Sequence, residues 1–275
     1  MPAVMTRRDL RNLADSLGSR RANALIGLSR FDTGISEMLV LYVLGTAGRA
    51  LQRRRSRATL GSIRTSRKAG TLPKPVLEFF FDCSSPWTYL AFSRVEALAE
   101  RAGAVIDWRP VLVGGIFNAV NDTVYEQRAN PNPVKARYYV KDLQDWARFC
   151  GIEIGQPPVF PVRAVDAMRA AIVASDEGKL PAFARATFRT YWSELKDISQ
   201  PDVLAAICAE VGLDWSMVSR RIKDEDVKKR LRDNTEEVIA RGGFGSPTMF
   251  VNKTDMYFGN DRLPLVEAAL KALVK

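Results

Sequence analysis

Phe79-Phe80-Phe81-Asp82-Cys83-Ser84-Ser85-Pro86-Trp87-Thr88-Tyr89-Leu90 is the stretch that orders the rest of the chain. Val76 to Phe81 is a short, nearly continuous apolar run, the pattern of a buried strand. Ser84 and Ser85 are good N-cap residues. Pro86 suits the first helical position, where its missing N–H would have no intrahelical partner anyway. Apolar residues then recur with helical spacing from Trp87 to Ala102, and Gly103 ends the run. A strand therefore feeds directly into a capped helix, with small hydroxyl side chains at the positive end of the helix dipole. Such a terminus stabilises anions, thiolates among them.

Downstream, Val105–Trp108 reads as a second strand, and Arg109-Pro110 and Gly114-Gly115 close the unit. A strand–helix–strand unit of this size implies a parallel pair with a right-handed crossover. Residues 116–134 are polar, with Asn118, Asn121, Asn130 and Asn132 among two prolines, and read as a long functional loop. Helical patterns follow over 135–149, 164–177, 180–196, 201–211, 215–222 and 225–241. Ser199 and Asp214 are placed as caps, and Gln156–Pro161 is a helix-free break with three prolines. Gly242 to Pro247 is a turn-rich approach to a strand at Thr248–Val251. Asn252–Asp255 is a hairpin turn, Met256–Phe258 the return strand, and Gly259-Asn260-Asp261 leads into a last amphipathic helix over 262–274. The order β-α-β, helical block, β-β-α is an α/β thioredoxin-like fold with an inserted all-helical subdomain at about 133–241.

Upstream, residues 1–75 read as a basic extension, helical or partly disordered. They carry 15 Lys+Arg against 4 Asp+Glu, whereas 76–275 carry 26 against 27. The formal charge of +10 thus belongs to the extension, which removes the chief support for nucleic-acid binding by the main domain. The apolar run Met38–Leu44 is too short to span a bilayer and too far from the start for an ordinary signal peptide. A Leu-rich patch flanked by Arg suits weak contact with an anionic membrane surface or a partner, and the Arg-rich, acid-poor composition also fits an organelle presequence. Gly70–Pro75 reads as the linker.

The 275 residues include no histidine, which excludes His-based triads, His general bases and His metal sites. Three cysteines, Cys83, Cys150 and Cys208, are widely spaced with no Cys-x-x-Cys pair. That argues against a disulfide framework and a Cys-rich zinc site, and favours a reducing, cytoplasmic setting. No metal is expected.

In a thioredoxin-like frame three segments converge: Ser84-Ser85-Pro86, Ser246-Pro247 with a cis peptide bond, and Asn260-Asp261-Arg262. Phe81–Ala91, Gly242–Val251 and Phe258–Leu263 together resemble the 2-hydroxychromene-2-carboxylate isomerase family, kin to kappa-class glutathione transferases and more distantly to DsbA-like thiol oxidoreductases. Lys135-Ala-Arg-Tyr and Asp142–Ala147 echo it too, so the resemblance covers about 76–275.

The resemblance implies a glutathione site. Ser85 matches the family's active-site serine, donating to the glutathione sulfur, with Pro86 and Trp87 beside it. Ser246, ahead of Pro247, would pair with the cysteinyl backbone, and Asn260 and Asp261 would receive the γ-glutamyl end. Asn121 is matched to a loop asparagine with Asn130 as a competing register, and Lys135 to a carboxylate contact. The implied reaction is isomerisation of an aromatic catabolite: the glutathione thiolate adds, the ring opens, a C–C bond rotates and the thiolate leaves. A kappa-like transferase or peroxidase, or a non-catalytic thioredoxin-fold binding protein, are the alternatives. Relatives of this kind form homodimers, so the resemblance implies a dimer as well. Cys83 lies two positions before Ser85 and has no resolving partner, so it reads as a buried strand-end residue. Trp87 and Phe117 could line an aromatic pocket.

Overall fold

Val76–Phe81 forms β1, whose residues from Leu77 onward are all buried. In the computed structural model, which describes residues 74–274, both faces of this strand are covered. Leu77, Phe79 and Phe81 point into the larger core with Phe92, while Phe80 packs on the other side with Val111, Ile116, Val238 and Phe250. A strand buried on both faces needs apolar residues in succession rather than alternation. The exception, Glu78, is 4% exposed and tolerated because Arg241 donates to both its carboxylate oxygens, at 2.6 and 3.1 Å. A buried carboxylate without such a partner would be strongly destabilising.

β1 pairs parallel with β2 (Val105–Pro110) and antiparallel with β3 (Thr248–Val251), which pairs antiparallel with β4 (Asp255–Phe258). The strand order is β2-β1-β3-β4. Asn252 and Lys253 both have positive φ, 52° and 67°, the backbone of a type I′ hairpin. α1 (Pro86–Arg101) crosses from β1 to β2 as expected.

The stretch 116–134 departs from the loop reading. It holds α2 (Val113–Val120), α3 (Thr123–Ala129) and the start of α4 (Pro133–Cys150). Local propensity is poor here, since Gly114 and Gly115 open α2. Tertiary contacts decide it: Ile116 is fully buried, the Asp82 carboxylate accepts from the Val113 N–H at 2.8 Å, and Thr235 Oγ1 accepts from the Leu112 N–H. A Cβ on Gly115 would stand 3.3 Å from Thr235 Cγ2, so glycine lets α2 approach its neighbour closely.

The helical block comprises α5 (Val165–Asp176), α6 (Leu180–Trp192), α7 (Pro201–Glu210), α8 (Trp215–Arg221) and α9 (Glu225–Ala240). α5 and α9 touch β2, α6 touches α1, and buried side chains of α5 and α6 share one core with β1 and α1. Asp214 caps α8 as expected, accepting from the Ser216 N–H. Ser199 does not cap α7; the N-cap is Gln200, and Ser199 is turned by its own N–H donating to Asp197. Asn260–Arg262 is one turn of 3-10 helix rather than a side-chain cap, and α10 runs Leu263–Leu273. Apart from Lys74 and Pro75, the basic extension lies outside the described residues.

Candidate functional site

The site grows from the end of β1. Asp82 is buried, and its carboxylate accepts from the Ser84 N–H and hydroxyl through Oδ1 and from the Val113 N–H through Oδ2, each at 2.8 Å. One carboxylate thereby ties the β1–α1 turn to the start of α2. Burial pushes its pKa above the ordinary carboxylate value, opposed by the hydrogen bonds from Ser84 and Val113.

Ser85 is the N-cap of α1. Its Oγ accepts from the Thr88 N–H at 3.2 Å and donates to the Ser246 carbonyl at 3.1 Å. The Ser246–Pro247 peptide bond is cis. Ser246 Oγ accepts from the Asp82 N–H at 3.0 Å and shares a 2.8 Å hydrogen bond with Thr88 Oγ1. Two of the three predicted segments are therefore knitted together by Ser85, Thr88 and Ser246, with Ser85 as the N-cap of α1 and Pro86 at its first turn.

The third segment is brought in by a residue that no local pattern singles out. Arg94, two turns into α1, donates to the Asn260 carbonyl at 3.0 Å and to its Oδ1 at 2.7 Å. Burial lowers the Arg94 pKa, countered by Cys150 and Asp261. Asn260 is buried with its acceptors committed, so it braces the turn, while Asp261 is exposed and pairs with its neighbour Arg262 at 2.6 Å. Asp261 makes no side-chain cap, which leaves its carboxylate at the surface.

Of the two asparagine registers, Asn121 is the one that reaches this region, its Nδ2 donating to the Phe244 carbonyl at 3.1 Å. Asn130 ends α3 and makes only a backbone bond to Glu126. Trp87 stands edge-on to Tyr139 of α4, centroids 5.4 Å apart, and donates its Nε1–H to the Tyr139 hydroxyl at 3.1 Å. Lys135 lies one turn before Tyr139 on α4 and is exposed. Burial raises the Tyr139 pKa, with the Trp87 hydrogen bond and the Arg128 charge acting against it.

Cys83 is excluded from the chemistry. It is fully buried, its carbonyl accepts from Trp192 Nε1 at 2.9 Å, and its thiol is pushed well up by burial and by Asp82. Cys208 is buried too, with its thiol pushed up to about 11 by burial; Cys150, expected in the core, is only half-buried at the end of α4. Among the described residues no group of three or more His, Cys, Asp or Glu side chains could hold a metal ion, and no helix is long and apolar enough to cross a membrane.

Sequence reasoning missed Asp82, Thr88, Arg94 and Tyr139. An acid at a strand's C-terminal end followed two residues on by serine was a usable signal for Asp82. The others are visible only once elements distant in sequence are packed.

The family model described as a DSBA-like thioredoxin domain matches residues 76–271. The 2-hydroxychromene-2-carboxylate isomerase of Pseudomonas putida is 29% identical over 203 residues, spanning 73% of this chain and 96% of that protein. The human glutathione S-transferase kappa 1 is 26% identical over 210 residues, spanning 72% and 91%. A solved 2-hydroxychromene-2-carboxylate isomerase superposes with a TM-score of 0.62 at 27% identity, covering 72% of this chain and 95% of that one.

Proposed function

This chain belongs to the DSBA-like thioredoxin domain family, and from that premise we propose that it is a glutathione-dependent isomerase of 2-hydroxychromene-2-carboxylate or a similar aromatic carboxylate. The observation that carries the reading is Ser85: a hydroxyl, not a thiol, caps α1 and faces the Ser246 carbonyl beside the cis peptide bond. Thiol–disulfide exchange needs a cysteine thiolate at such a position, and the chain's one nearby cysteine is buried with a raised pKa. The relatives with isomerase names support the reaction class.

The residues present fit glutathione. Asp261 offers an exposed carboxylate suited to an ammonium, beside a turn braced by Arg94. Gly245 precedes Ser246 where a Cβ would come within 2.7 Å of Phe258 Cε2, so the approach strand is kept thin beside the site. Bound glutathione supplies a thiolate nucleophile. The chain's own part is to hold that thiolate: Ser85 turns its hydroxyl proton from the Ser246 carbonyl toward the sulfur, and the α1 dipole favours negative charge there. Ser246 pairs its backbone with the peptide, Asn121 holds the approach strand through Phe244, and Trp87 with Tyr139 offers an aromatic surface beside Ser85. Three separated thiols suit a reducing, cytoplasmic setting.

Isothermal calorimetry with glutathione tests the premise, followed by the isomerisation assay on 2-hydroxychromene-2-carboxylate. Binding with isomerisation supports the proposal; no binding at millimolar glutathione refutes it. The kappa-class relatives, at 26% identity over about nine-tenths of their length, support a second reading as a glutathione transferase. Conjugation of a generic electrophile without isomerisation would favour it.

A further inference from the structure

α3 carries Arg128 over two aromatic rings, Phe117 and Phe160. Its guanidinium carbon lies 5.5 Å from the Phe117 ring centroid and 5.4 Å from that of Phe160. Each ring packs against a residue that adjoins the site. Phe117 stands 3.8 Å from where a Cβ on Gly245 would be, one residue before Ser246. Phe160 packs 5.9 Å from Trp192, whose Nε1–H holds the Cys83 carbonyl, two residues before Ser85. The third wall, Tyr139 against Trp87, is close enough for the Arg128 charge to be felt at the Tyr139 hydroxyl.

Aromatic faces engage the π face of a guanidinium and leave its in-plane N–H donors free, which is why stacked arginines so often bind planar anions with their edge. Arg101, Arg109, Arg189, Arg221 and Arg241 spend those donors on carboxylates. Among the described residues Arg128 has neither a carboxylate partner nor a side-chain hydrogen bond. Acidic neighbours on its own helix, Asp122 and Glu126, make no ion pair with it. An exposed arginine lying on an aromatic ring is ordinary, and one contact would signify little. Two rings from different elements hold this cation at one place, Phe117 beside Gly245 of the approach strand and Phe160 against Trp192, whose indole bonds the Cys83 carbonyl.

We propose that Arg128 determines specificity for the second substrate, receiving the carboxylate of a planar aromatic acid in the plane of its guanidinium while Phe117, Phe160 and the Trp87–Tyr139 pair enclose the ring. The inference rests on the glutathione-dependent reading for the identity of the site, and it assigns the acid group of the co-substrate rather than glutathione to this residue.

The full-length chain is titrated with trans-cinnamate and with methyl cinnamate, following tryptophan fluorescence, in the wild type, R128Q and R128K. Calorimetry with glutathione runs in parallel on each. Wild type binds the acid about tenfold or more tightly than the ester, in line with a charge-assisted bidentate contact. R128Q erases that preference and leaves ester and glutathione affinities unchanged; R128K, which keeps the charge without the fork, falls between. Circular dichroism confirms that the variants are folded, as expected for an exposed side chain. Equal binding of acid and ester by the wild type, no binding of either, equal weakening of both in R128Q, or a loss confined to glutathione would each overturn the assignment. If glutathione fails to bind while Arg128 still selects the acid, the carboxylate contact stands, and the glutathione-dependent reading falls with the co-substrate role that rests on it.

Discussion

Replacing Ser85 by alanine separates a cap from a thiolate-holding hydroxyl. The Ser85 Oγ makes two bonds, accepting from the Thr88 N–H and donating to the Ser246 carbonyl. Losing the cap costs about 1 kcal/mol, and leaving a buried carbonyl without its donor adds up to about another 1 kcal/mol. A domain of this size is stable by roughly 5–15 kcal/mol, so S85A folds, with a Tm lower by about 2–8 °C. That loss is common to both roles and decides nothing. The deciding quantity is the pKa of the bound glutathione thiol. A hydrogen bond to a charged group is worth about 1.5–3 kcal/mol, and one pKa step corresponds to about 1.4 kcal/mol. Removing the Ser85 donor should therefore raise the bound thiol's pKa by about 1–2, which lowers the thiolate fraction at pH 7, and the isomerisation rate with it, by up to about 10- to 100-fold. The assay is thiolate absorbance near 240 nm in the protein–glutathione complex across pH, alongside turnover at pH 7. An unchanged thiol pKa with unchanged turnover would show that Ser85 is only an N-cap.

The cysteines and one surface carboxylate give further tests. Of the three cysteines, Cys83 and Cys208 are fully buried and Cys150 is half-buried, so native protein should react with a thiol reagent such as DTNB at Cys150 first, and at all three once denatured. A second fast thiol, mapped by mass spectrometry to Cys83, would contradict the exclusion of Cys83 from the site. Glu267 joins Arg101 of α1 and Lys271 of α10; the Arg101 bond first, then Lys271, draws its pKa from 4.5 to about 2. Because the folded-state value is the lower one, the stabilisation is present above pH 4.5 and fades as the pH falls toward 2. At face value the shift is worth about 3 kcal/mol, but Arg101 and Lys271 are about half exposed, and screening reduces it to about 0.5–1 kcal/mol. Urea denaturation should find E267Q less stable than wild type at pH 7 by that amount and no different near pH 2; a gap that persists at low pH would refute the linkage.

Much of the site was legible in the sequence because its elements are capped and punctuated locally. Ser85-Pro86 announces a helix start, Asn252-Lys253 a tight hairpin, and the run 79–81 a strand buried on both faces. Asn121, taken from the sequence with Asn130 as a competing register, is the one whose amide reaches the Phe244 carbonyl. The polar, asparagine-rich stretch 116–134 misled for the opposite reason. Its local propensities favour a loop, yet Ile116 is buried against Phe80 and Phe250, and Asp82 and Thr235 satisfy the backbone donors at the start of α2. Tertiary burial outweighs propensities of a fraction of a kcal/mol per residue.

The residues alone determined the strands and most helices in their order, α2 and α3 excepted, the hydroxyl at the head of α1, the absence of histidine chemistry and of a cysteine pair, and the confinement of the positive charge to 1–75. Each follows from composition or from periodicity over a dozen neighbouring residues. Packing alone decided that Ser246 Oγ meets the Asp82 N–H and Thr88, that Arg94 grips Asn260, and that Arg128 lies between Phe117 and Phe160. The first three join positions 164, 158 and 166 residues apart. Hydrogen bonds and aromatic contacts act over a few ångströms in space and carry no mark in the local pattern of either partner, so the hydrogen-bonded cluster around Ser85 exists only after β1 and β3 have paired and α1 has docked against the Asn260 turn.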